Sequence, residues 1–390
     1  CAFDTNYNLQ QFIIPPDSKL EIIEKFAFKS TSIKFFFIPS HLTQICENAF
    51  YYCRNLQQIT CSEKSKFQTI SKYAFNRSTI QSLTLPSSLV KLEEEWCDDT
   101  NNLININISH NNPNFTLYDN SLILRKSNPE KENFDILVFG FRNIEKVVIP
   151  SFIEVIEPCA FFSCKQLRQV EFYEDSKLRT IGKNAFYDSS IEQIIIPKHV
   201  TTIAESAFSQ CRKLLTVEFK KDSELKVIEK FAFRSSSIEK IIIPSHVTKI
   251  CAESFSFCKN LECVEFLENS ELQIIESNAF NQSAIEKFIL PSCLEKLDVS
   301  WCNGTSQLYE IEVMPNNRYF VFHDDFLILG KSIPEKEIFD VLIFCVRSIE
   351  DLTYTPQFVE IIAPYAFSNC LYFQNVDLSI HSNIQIIDDY

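Results

Sequence analysis

Residues 196–214 read IPKHVTTIAESAFSQCRKL, and similar strings run along almost the entire chain. The Ala-Phe pair of this string recurs at intervals of 22 to 25 residues within each run, with Ser254-Phe255 as a variant. The pair ends at Phe3, Phe28, Phe50, Phe75, Phe161, Phe186, Phe208, Phe233, Phe280 and Phe367. The whole pattern then returns, since Trp96 and Trp301 are 205 residues apart, as are Phe28 and Phe233. Repeats of this length predict a solenoid, in which each coil buries its apolar side against its neighbours.

Each predicted coil contains one strand, and in six of the coils a proline follows it: Pro39, Pro86, Pro150, Pro197, Pro244 and Pro291. In residues 190–197, SIEQIIIP, the period of two places Ile194 on the inward face and Ile195 on the outward face. Pro197 has no N–H to continue a ladder, so it predicts the end of the strand. The same proline recurs in later and earlier coils, which predicts the same boundary there.

The segment around the Ala-Phe pair predicts the second element of each coil. Residues 202–208, TIAESAF, are typical of a short helical turn, with Ile203 and Phe208 packed inward. The predicted fold is therefore an α/β repeat solenoid of about fifteen coils, each of about 23–24 residues with one strand and one short helical turn.

Two longer segments interrupt the repeats. The alternating pieces FTLY at 115–118 and FVFH at 320–323 precede Asp119-Asn120 and Asp324-Asp325, which predicts two β-hairpin excursions that leave the solenoid. The predicted organisation is a first repeat array at 1–110, a hairpin at 111–141, a second array at 142–314, a hairpin at 315–345 and the start of a third array at 346–390.

Composition excludes several classes of function. The 390 residues carry 37 basic and 51 acidic side chains, a net charge of −14 that disfavours binding to nucleic acid or to anionic membranes. Hydrophobic residues make up 45% of the chain, with 36 Phe, which is ample for a packed interior. There is no apolar run of membrane-spanning length and no signal sequence. The chain starts and stops in mid-motif, which predicts that it is a segment of a longer protein.

The fifteen cysteines have three interpretations. Free, buried thiols are favoured, because cysteines at equivalent positions of alternate coils lie too far apart for a disulfide. Bridges within the C-x6-C pairs (Cys46 with Cys53, and Cys251 with Cys258) and a zinc site remain alternatives. The sequence contains no Gly-x-Ser-x-Gly motif of a serine hydrolase, no His-Glu-x-x-His motif of a metalloprotease and no phosphate-binding Walker loop. It therefore predicts no enzyme activity and no cofactor.

The outward strand positions form two columns along the repeats. In one column, acidic residues alternate with isoleucine from strand to strand, and in the other, lysines stand where they can pair with glutamates across strands. The candidate ligand-binding residues are Glu171, Ile195, Glu218, Lys240, Ile242, Glu265, Lys287 and Ile289. Phe35 and Phe37 occupy the same columns near the N-terminus. Two interpretations stay open: a binding face for a protein partner, or a soluble, β-favouring surface with no ligand.

The chain resembles the leucine-rich repeats of the BspA-like surface antigens, which occur in mucosal bacteria and in parasitic protists. The resemblance rests on the string from Ile196 through Leu214 and on the interrupting hairpins, and its Phe- and Asn-rich, Gly-poor composition is similar to the protist branch. Asp119-Asn120 and Asp324-Asp325 stand where the family usually has Asp-Gly at the hairpin tip.

The resemblance implies a non-catalytic protein, at the cell surface or secreted, that binds host or matrix proteins without inserting into a membrane. An intracellular interaction scaffold is the alternative, and a fragment of an enzyme whose catalytic domain lies elsewhere is a third possibility.

Overall fold

The computed structural model describes residues 1–62, 64–267, 269–352, 355–376 and 382–388. The chain divides into two compact units, Cys1–Ser190 and Ile191–Tyr390, and each unit is a stretch of β-solenoid. It makes about 16 turns in all, close to the fifteen coils predicted. The last residues of the predicted third array, Asp389 and Tyr390, lie outside the described residues.

The first unit builds parallel sheets from four-residue and two-residue strands. The four-residue strands β2-β4-β6-β8 form one sheet and the two-residue strands β1-β3-β5-β7 another, while β12 pairs with β14 and β13 with β15. The strands are β1 (Ile22–Ile23), β2 (Phe35–Ile38), β3 (Gln44–Ile45), β4 (Gln58–Cys61), β5 (Thr69–Ile70), β6 (Ser82–Leu85), β7 (Lys91–Leu92), β8 (Asn105–Ile108), β9 (Phe115–Tyr118), β10 (Leu122–Arg125), β11 (Ile136–Gly140), β12 (Lys146–Ile149), β13 (Val155–Ile156), β14 (Gln169–Phe172) and β15 (Thr180–Ile181).

The second unit repeats the same plan. Four-residue strands follow the order β16-β18-β20-β22-β24-β26, and two-residue strands follow the order β17-β19-β21-β23-β25. The strands are β16 (Gln193–Ile196), β17 (Thr202–Ile203), β18 (Thr216–Phe219), β19 (Val227–Ile228), β20 (Lys240–Ile243), β21 (Lys249–Ile250), β22 (Cys263–Phe266), β23 (Ile274–Ile275), β24 (Lys287–Leu290), β25 (Lys296–Leu297), β26 (Glu310–Val313), β27 (Phe320–His323), β28 (Leu327–Gly330), β29 (Val341–Cys345), β30 (Asp351–Leu352), β31 (Ile361–Ile362), β32 (Asn375–Val376) and β33 (Ile386–Ile387).

Proline ends the strands as predicted, and it also shortens alternate ladders. β16 ends at Ile196, directly before Pro197. Lys220 follows β18, and its N–H donates to the carbonyl of Ile196 at 3.1 Å. Pro244 stands at the equivalent position after β20 and has no N–H to donate. This accounts for the contrast between the β16–β18 ladder, which pairs four residues, and the β18–β20 ladder, which pairs one.

The prediction of a helical turn was wrong. No helix occurs among the described residues, and Thr202–Ile203, the start of the predicted turn, is strand β17. Ser206 and Gln210 have φ values of 57° and 61°, in the left-handed region, which breaks any right-handed helix. The burial of Ile203 and Phe208 was predicted correctly, since both are fully buried.

The backbone hydrogen bonds give the reason for this difference. The N–H groups of Ser206, Phe208 and Gln210 donate to carbonyls one coil further along, of Lys230, Ala232 and Arg234, at 2.9, 2.7 and 2.7 Å. A helix would have directed those donors to its own carbonyls four residues back. The Ala-Phe segment is therefore a third stack of hydrogen bonds between coils.

Aromatic rings form a column through the core of each unit. In the second unit the ring centroids of Phe233 and Phe255 are 5.2 Å apart, and those of Phe255 and Phe280 are 5.3 Å apart. Trp301 continues the column at 6.2 Å from Phe280 with its ring nearly perpendicular, at the position where the repeat predicts the next Phe. Trp96 has the same place after Phe75 in the first unit.

Both predicted hairpins form. β9 pairs antiparallel with β10, and β27 with β28. Asp119 and Asn120 have φ values of 48° and 50°, so these residues supply the left-handed turn without glycine. The hairpins do not leave the solenoid, because β10 pairs with β11, which then pairs in parallel with β13 of the next coil. β29 rejoins the repeats through β31 in the same way.

Candidate protein-binding face

The outward side of the four-residue strands in the second unit, called here the strand face, carries the predicted binding residues. The period of two holds, since Ile194 is buried whereas Ile195 is 45% exposed. Ile242 is 44% exposed on β20, and Ile289 on β24 is half-buried. The strand face therefore presents aliphatic side chains to solvent at every second strand.

The parallel register brings each of these isoleucines beside a carboxylate. Ile195 pairs with Glu218, Ile242 with Glu265, and Ile289 with Glu312. Neighbouring strands lie about 4.8 Å apart, so acidic residues on alternate strands are about 10 Å from one another. This spacing is close to the screening length at physiological salt, which keeps their repulsion small.

The predicted Lys–Glu pairs form across the strands. Lys240 Nζ lies 2.5 Å from Glu265 Oε1, and this hydrogen bond lowers the pKa of Glu265 and raises that of Lys240. Lys287 Nζ lies 2.6 Å from Glu310 Oε1 and 2.8 Å from Glu312 Oε1. Exposed pairs of this kind contribute little to stability, about 0–1 kcal/mol each. Their main effect is to hold the charged side chains in a fixed pattern beside the isoleucines.

Glu218 differs from the other acidic residues of the strand face. It is exposed, and no lysine, arginine or histidine among the described residues forms an ion pair with it. On the preceding strand, Gln193 occupies the position from which Lys240 reaches Glu265 in a later coil, and Lys240 on the following strand is paired with Glu265. Glu218 is therefore a carboxylate that remains free to pair with a basic group of a ligand.

Glu171 lies in the first unit, on β14, where the same arrangement recurs. Its carboxylate accepts hydrogen bonds from Lys146 Nζ at 2.7 Å and from Gln169 Nε2 at 2.6 Å. Val148 pairs with Glu171 in register and is 37% exposed. Sequence reasoning missed Lys146 and Val148, although the strand before Pro150 has the same pattern as the strand that contains Ile195.

The outward side of the first four-residue strands, in the first unit, has a different chemistry. Phe35 on β2 is 58% exposed and Phe37 is half-buried, as their outward positions predict. The outward residues of the three following strands are neutral: Gln58, Thr60, Ser82, Thr84, Asn105 and Asn107. Residues 35–108 therefore present aromatic and amide or hydroxyl groups, without the carboxylates seen later.

The cysteines contribute to packing between coils. All fifteen are free thiols, including both C-x6-C pairs. Cys258 is fully buried; its thiol donates to the carbonyl of Phe233 at 3.1 Å and lies 3.3 Å from Ser236 Oγ, and burial raises its pKa to about 11. The described residues contain no group of three or more His, Cys, Asp or Glu side chains placed to hold a metal ion.

The fold and the strand face define a leucine-rich repeat β-solenoid, a class that is typically non-enzymatic and suited to protein–protein interaction. Six copies of the BspA type leucine rich repeat region match residues 1–121, 135–248, 226–323 and 337–390. The chain therefore belongs to the BspA-type leucine-rich repeat family, as its resemblance predicted. No curated protein matches the sequence.

Several solved structures share the fold. A leucine rich cell surface protein from Faecalibacterium prausnitzii is 22% identical, with a TM-score of 0.57 over 68% of this chain and 75% of that one. A leucine-rich repeat protein from Eubacterium ventriosum is 20% identical, with a TM-score of 0.56 over 70% and 82%. The pneumococcal vaccine antigen PcpA is 20% identical, with a TM-score of 0.51 over 71% and 70%. In the part of the chain that the structure describes, no helix has the length and apolarity of a membrane span.

Proposed function

We propose that this protein recognises a protein partner through the strand face and acts in adhesion at the cell surface. The observation that carries the proposal is the row of exposed Ile195 and Ile242, each beside a carboxylate on the next strand. Aliphatic side chains in a row, bordered by charges, are the kind of surface that a protein partner buries.

The binding free energy that each side chain can contribute favours an interface in which many residues take part. Covering the exposed part of Ile195 or Ile242 contributes about 1 kcal/mol each, roughly half of the value for a fully buried side chain. Glu218 adds a carboxylate that a basic group of the partner can approach without first breaking an internal ion pair. The partner that this surface fits has an apolar strip accompanied by lysine or arginine.

The cell-surface location is supported by family membership and by the F. prausnitzii neighbour, which is described as a cell surface protein. One observation favours the second candidate, an intracellular interaction scaffold. All fifteen cysteines are free, and proteins of oxidising compartments more often pair theirs. Antibody staining of intact and permeabilised cells separates the two. Signal on intact cells supports adhesion, and signal only after permeabilisation supports the scaffold.

The binding role of the strand face is tested by changing Ile195, Ile242 and Ile289 together to lysine. The wild-type chain and the variant are assayed against a panel of purified extracellular-matrix proteins by surface plasmon resonance. We expect the wild type to bind at least one of these proteins and the variant to lose that binding, while its circular-dichroism spectrum stays unchanged.

A matched control adds the same three charges to the outward positions of the two-residue strands, as Thr202→Lys, Val227→Lys and Ile274→Lys. These residues begin β17, β19 and β23, on the other sheet of the same unit. The control should bind as the wild type does. Equal binding by the strand-face variant would show that the face is only scaffolding, and a panel without any ligand would overturn the adhesion proposal.

A further inference from the structure

The first hairpin interrupts both parallel ladders of the first unit, and the ladder of two-residue strands is left with an open edge. β7 is the last strand of the sheet β1-β3-β5-β7 and pairs only with β5. The next short strand of the repeat pattern, β11, pairs with β10 and β13 instead. The ladder that runs through the first four coils therefore stops at Lys91–Leu92.

Asparagine side chains complete part of this interrupted coil. Asn112 Nδ2 donates to the carbonyls of Pro86 and Leu89 at 2.9 and 3.1 Å, and Asn114 Nδ2 donates to Leu89 at 3.2 Å. Asn112 Oδ1 accepts from the N–H of Phe115, which begins β9. The amides thus satisfy the carbonyls of Pro86 and Leu89.

The carbonyls beyond Leu89 have no such substitute. In the coils before, the carbonyl of Ile45 accepts from Ser71 N and that of Ile70 accepts from Glu93 N, both at 2.9 Å. Leu92 is the next residue in this series, and no donor among the described residues reaches its carbonyl or that of Val90. Unpaired carbonyls along a strand edge are a template on which another strand can add.

A cleft of about 490 Å³ lies along this edge, called here the edge slot. Val90, Lys91 and Leu92 form one wall, and Phe115 of β9 and Arg125 of β10 belong to the other. No Cα atom of β7 lies within 8 Å of one in β9 or β10. Paired strands lie about 4.8 Å apart, so a strand inserted between two others needs roughly 9.6 Å, which is compatible with this separation.

Most of the charged groups that line the edge slot are already in ion pairs, and Lys72 Nζ lies 2.7 Å from Glu95 Oε2. Lys91 Nζ lies 2.9 Å from Glu93 Oε1, and Arg125 donates to Glu157 Oε1 at 2.6 Å. Recognition at this site therefore falls mainly to the open backbone groups and to the apolar side chains, and Glu94 is the lining carboxylate for which the described residues show no ion pair. Val90 is 58% exposed, which is a large fraction for an aliphatic residue at a strand edge.

We propose that the edge slot binds an extended peptide segment of a partner protein, which adds to β7 as a parallel or antiparallel strand. Its N–H groups donate to the carbonyls of Val90 and Leu92, and its residues alternate between apolar side chains, which contact Val90, and polar ones, which face the Lys91 and Arg125 pairs. This mode of recognition uses main-chain hydrogen bonds for affinity and alternate side chains for specificity. It is separate from the strand face, which belongs to the four-residue strands.

The second unit has a related edge. β25 pairs only with β23 on its sheet, and Asn317 Nδ2 donates to Pro291 and Leu294 as Asn112 does to Pro86 and Leu89. Gly330 stands at the position equivalent to Arg125, so the side chains beside the two edges differ. The two edges are therefore expected to select different peptides.

The test pans a phage-displayed library of nine-residue peptides on the full chain, with counter-selection on Val90→Trp, whose ring would fill the edge slot. We expect peptides with alternating apolar and polar residues, which bind the wild type at least about tenfold more tightly than Val90→Trp. N-methylation of alternate backbone nitrogens should abolish binding in one register and leave it intact in the other, because only one set of N–H groups faces β7.

Two further variants make the outcome specific. Val148→Trp places the same ring on an outward strand position of the first unit and should leave peptide binding unchanged, as should the strand-face triple lysine variant. Failure to recover a peptide that distinguishes Val90→Trp, or insensitivity to N-methylation in both registers, overturns the proposal. A concentration-dependent dimer that Val90→Trp abolishes would place a second copy of the chain in the slot and overturn it as well.

Discussion

Replacing Asp98 by asparagine should stabilise the protein at neutral pH. Burial, assisted by the charges of Glu95 and Asp99, raises the pKa of Asp98 to about 6, although Arg142 acts in the opposite direction. Asp98 Oδ1 has no hydrogen-bond partner among the described residues. The chain itself contains the replacement, because Asn303 stands 205 residues later and its Oδ1 accepts from Ser368 Oγ at 3.1 Å.

The size and sign of the effect follow from the pKa. The folded state holds the Asp98 proton more tightly than the unfolded chain, so the stability from the protonated carboxyl is present below about pH 4. It is lost as the pH rises through about 6. A difference of about two pKa units corresponds to about 3 kcal/mol, an upper limit because the side chain is partly exposed. We expect Asp98→Asn to add about 1–3 kcal/mol at pH 7.5 and almost nothing at pH 3.5.

The assay is urea denaturation followed by tryptophan fluorescence at both pH values. Trp96 is buried two residues before Asp98, and in a Trp301→Phe background it is the single tryptophan. The wild-type side chain at position 98 in the same background is the control. A variant that is less stable at pH 7.5, or that shows the same gain at both pH values, would refute the reasoning, since it would mean that Asp98 is stabilised as an anion by Arg142.

Two further predictions concern the core and one thiol. Phe255→Ala opens a cavity in a ring column with neighbours at 5.2 and 5.3 Å, so it should cost about 3–5 kcal/mol in denaturation experiments, whereas exposed Phe35→Ala should cost under about 1 kcal/mol. A hydrogen bond from Cys345, with help from the Arg347 guanidinium, lowers the pKa of the Cys370 thiol. At pH 7, iodoacetamide should therefore modify Cys370 faster in the wild-type protein than in a Cys345→Ala variant. Mass spectrometry measures both rates, and equal rates would contradict this account.

Most of the coil architecture could be predicted from the residues alone. The repeat period, the inward position of Ile194 and Phe208, the stop at Pro197 and both hairpins are visible in the sequence, because each depends on side-chain polarity or backbone restriction within a few residues. The pairing of Lys240 with Glu265 was also predictable, since a regular repeat fixes which residues lie side by side on adjacent strands.

The helical turn was predicted wrongly because the backbone of this segment forms hydrogen bonds with the next coil, which the residues of the segment alone do not reveal. The segment 202–208 contains good helix formers, yet the N–H of Phe208 donates to Ala232, one coil away. Stacking supplies every coil with such partners, and this outweighs the small differences in helix propensity. The binding role of the strand-face residues stays a prediction, because exposure and register describe a surface without naming its ligand.

The amino-acid sequence by itself determined the repeat, the period of the coils and the set of side chains that face inward, because burial of apolar groups follows a short, local periodicity. Only the tertiary structure decided which backbone donors and acceptors meet, since those partners lie more than twenty residues apart. The left-handed turns around Phe208 exist because its segment forms hydrogen bonds with the next coil. The edge at Leu92 is open because the corresponding hydrogen bonds to a next coil are not formed.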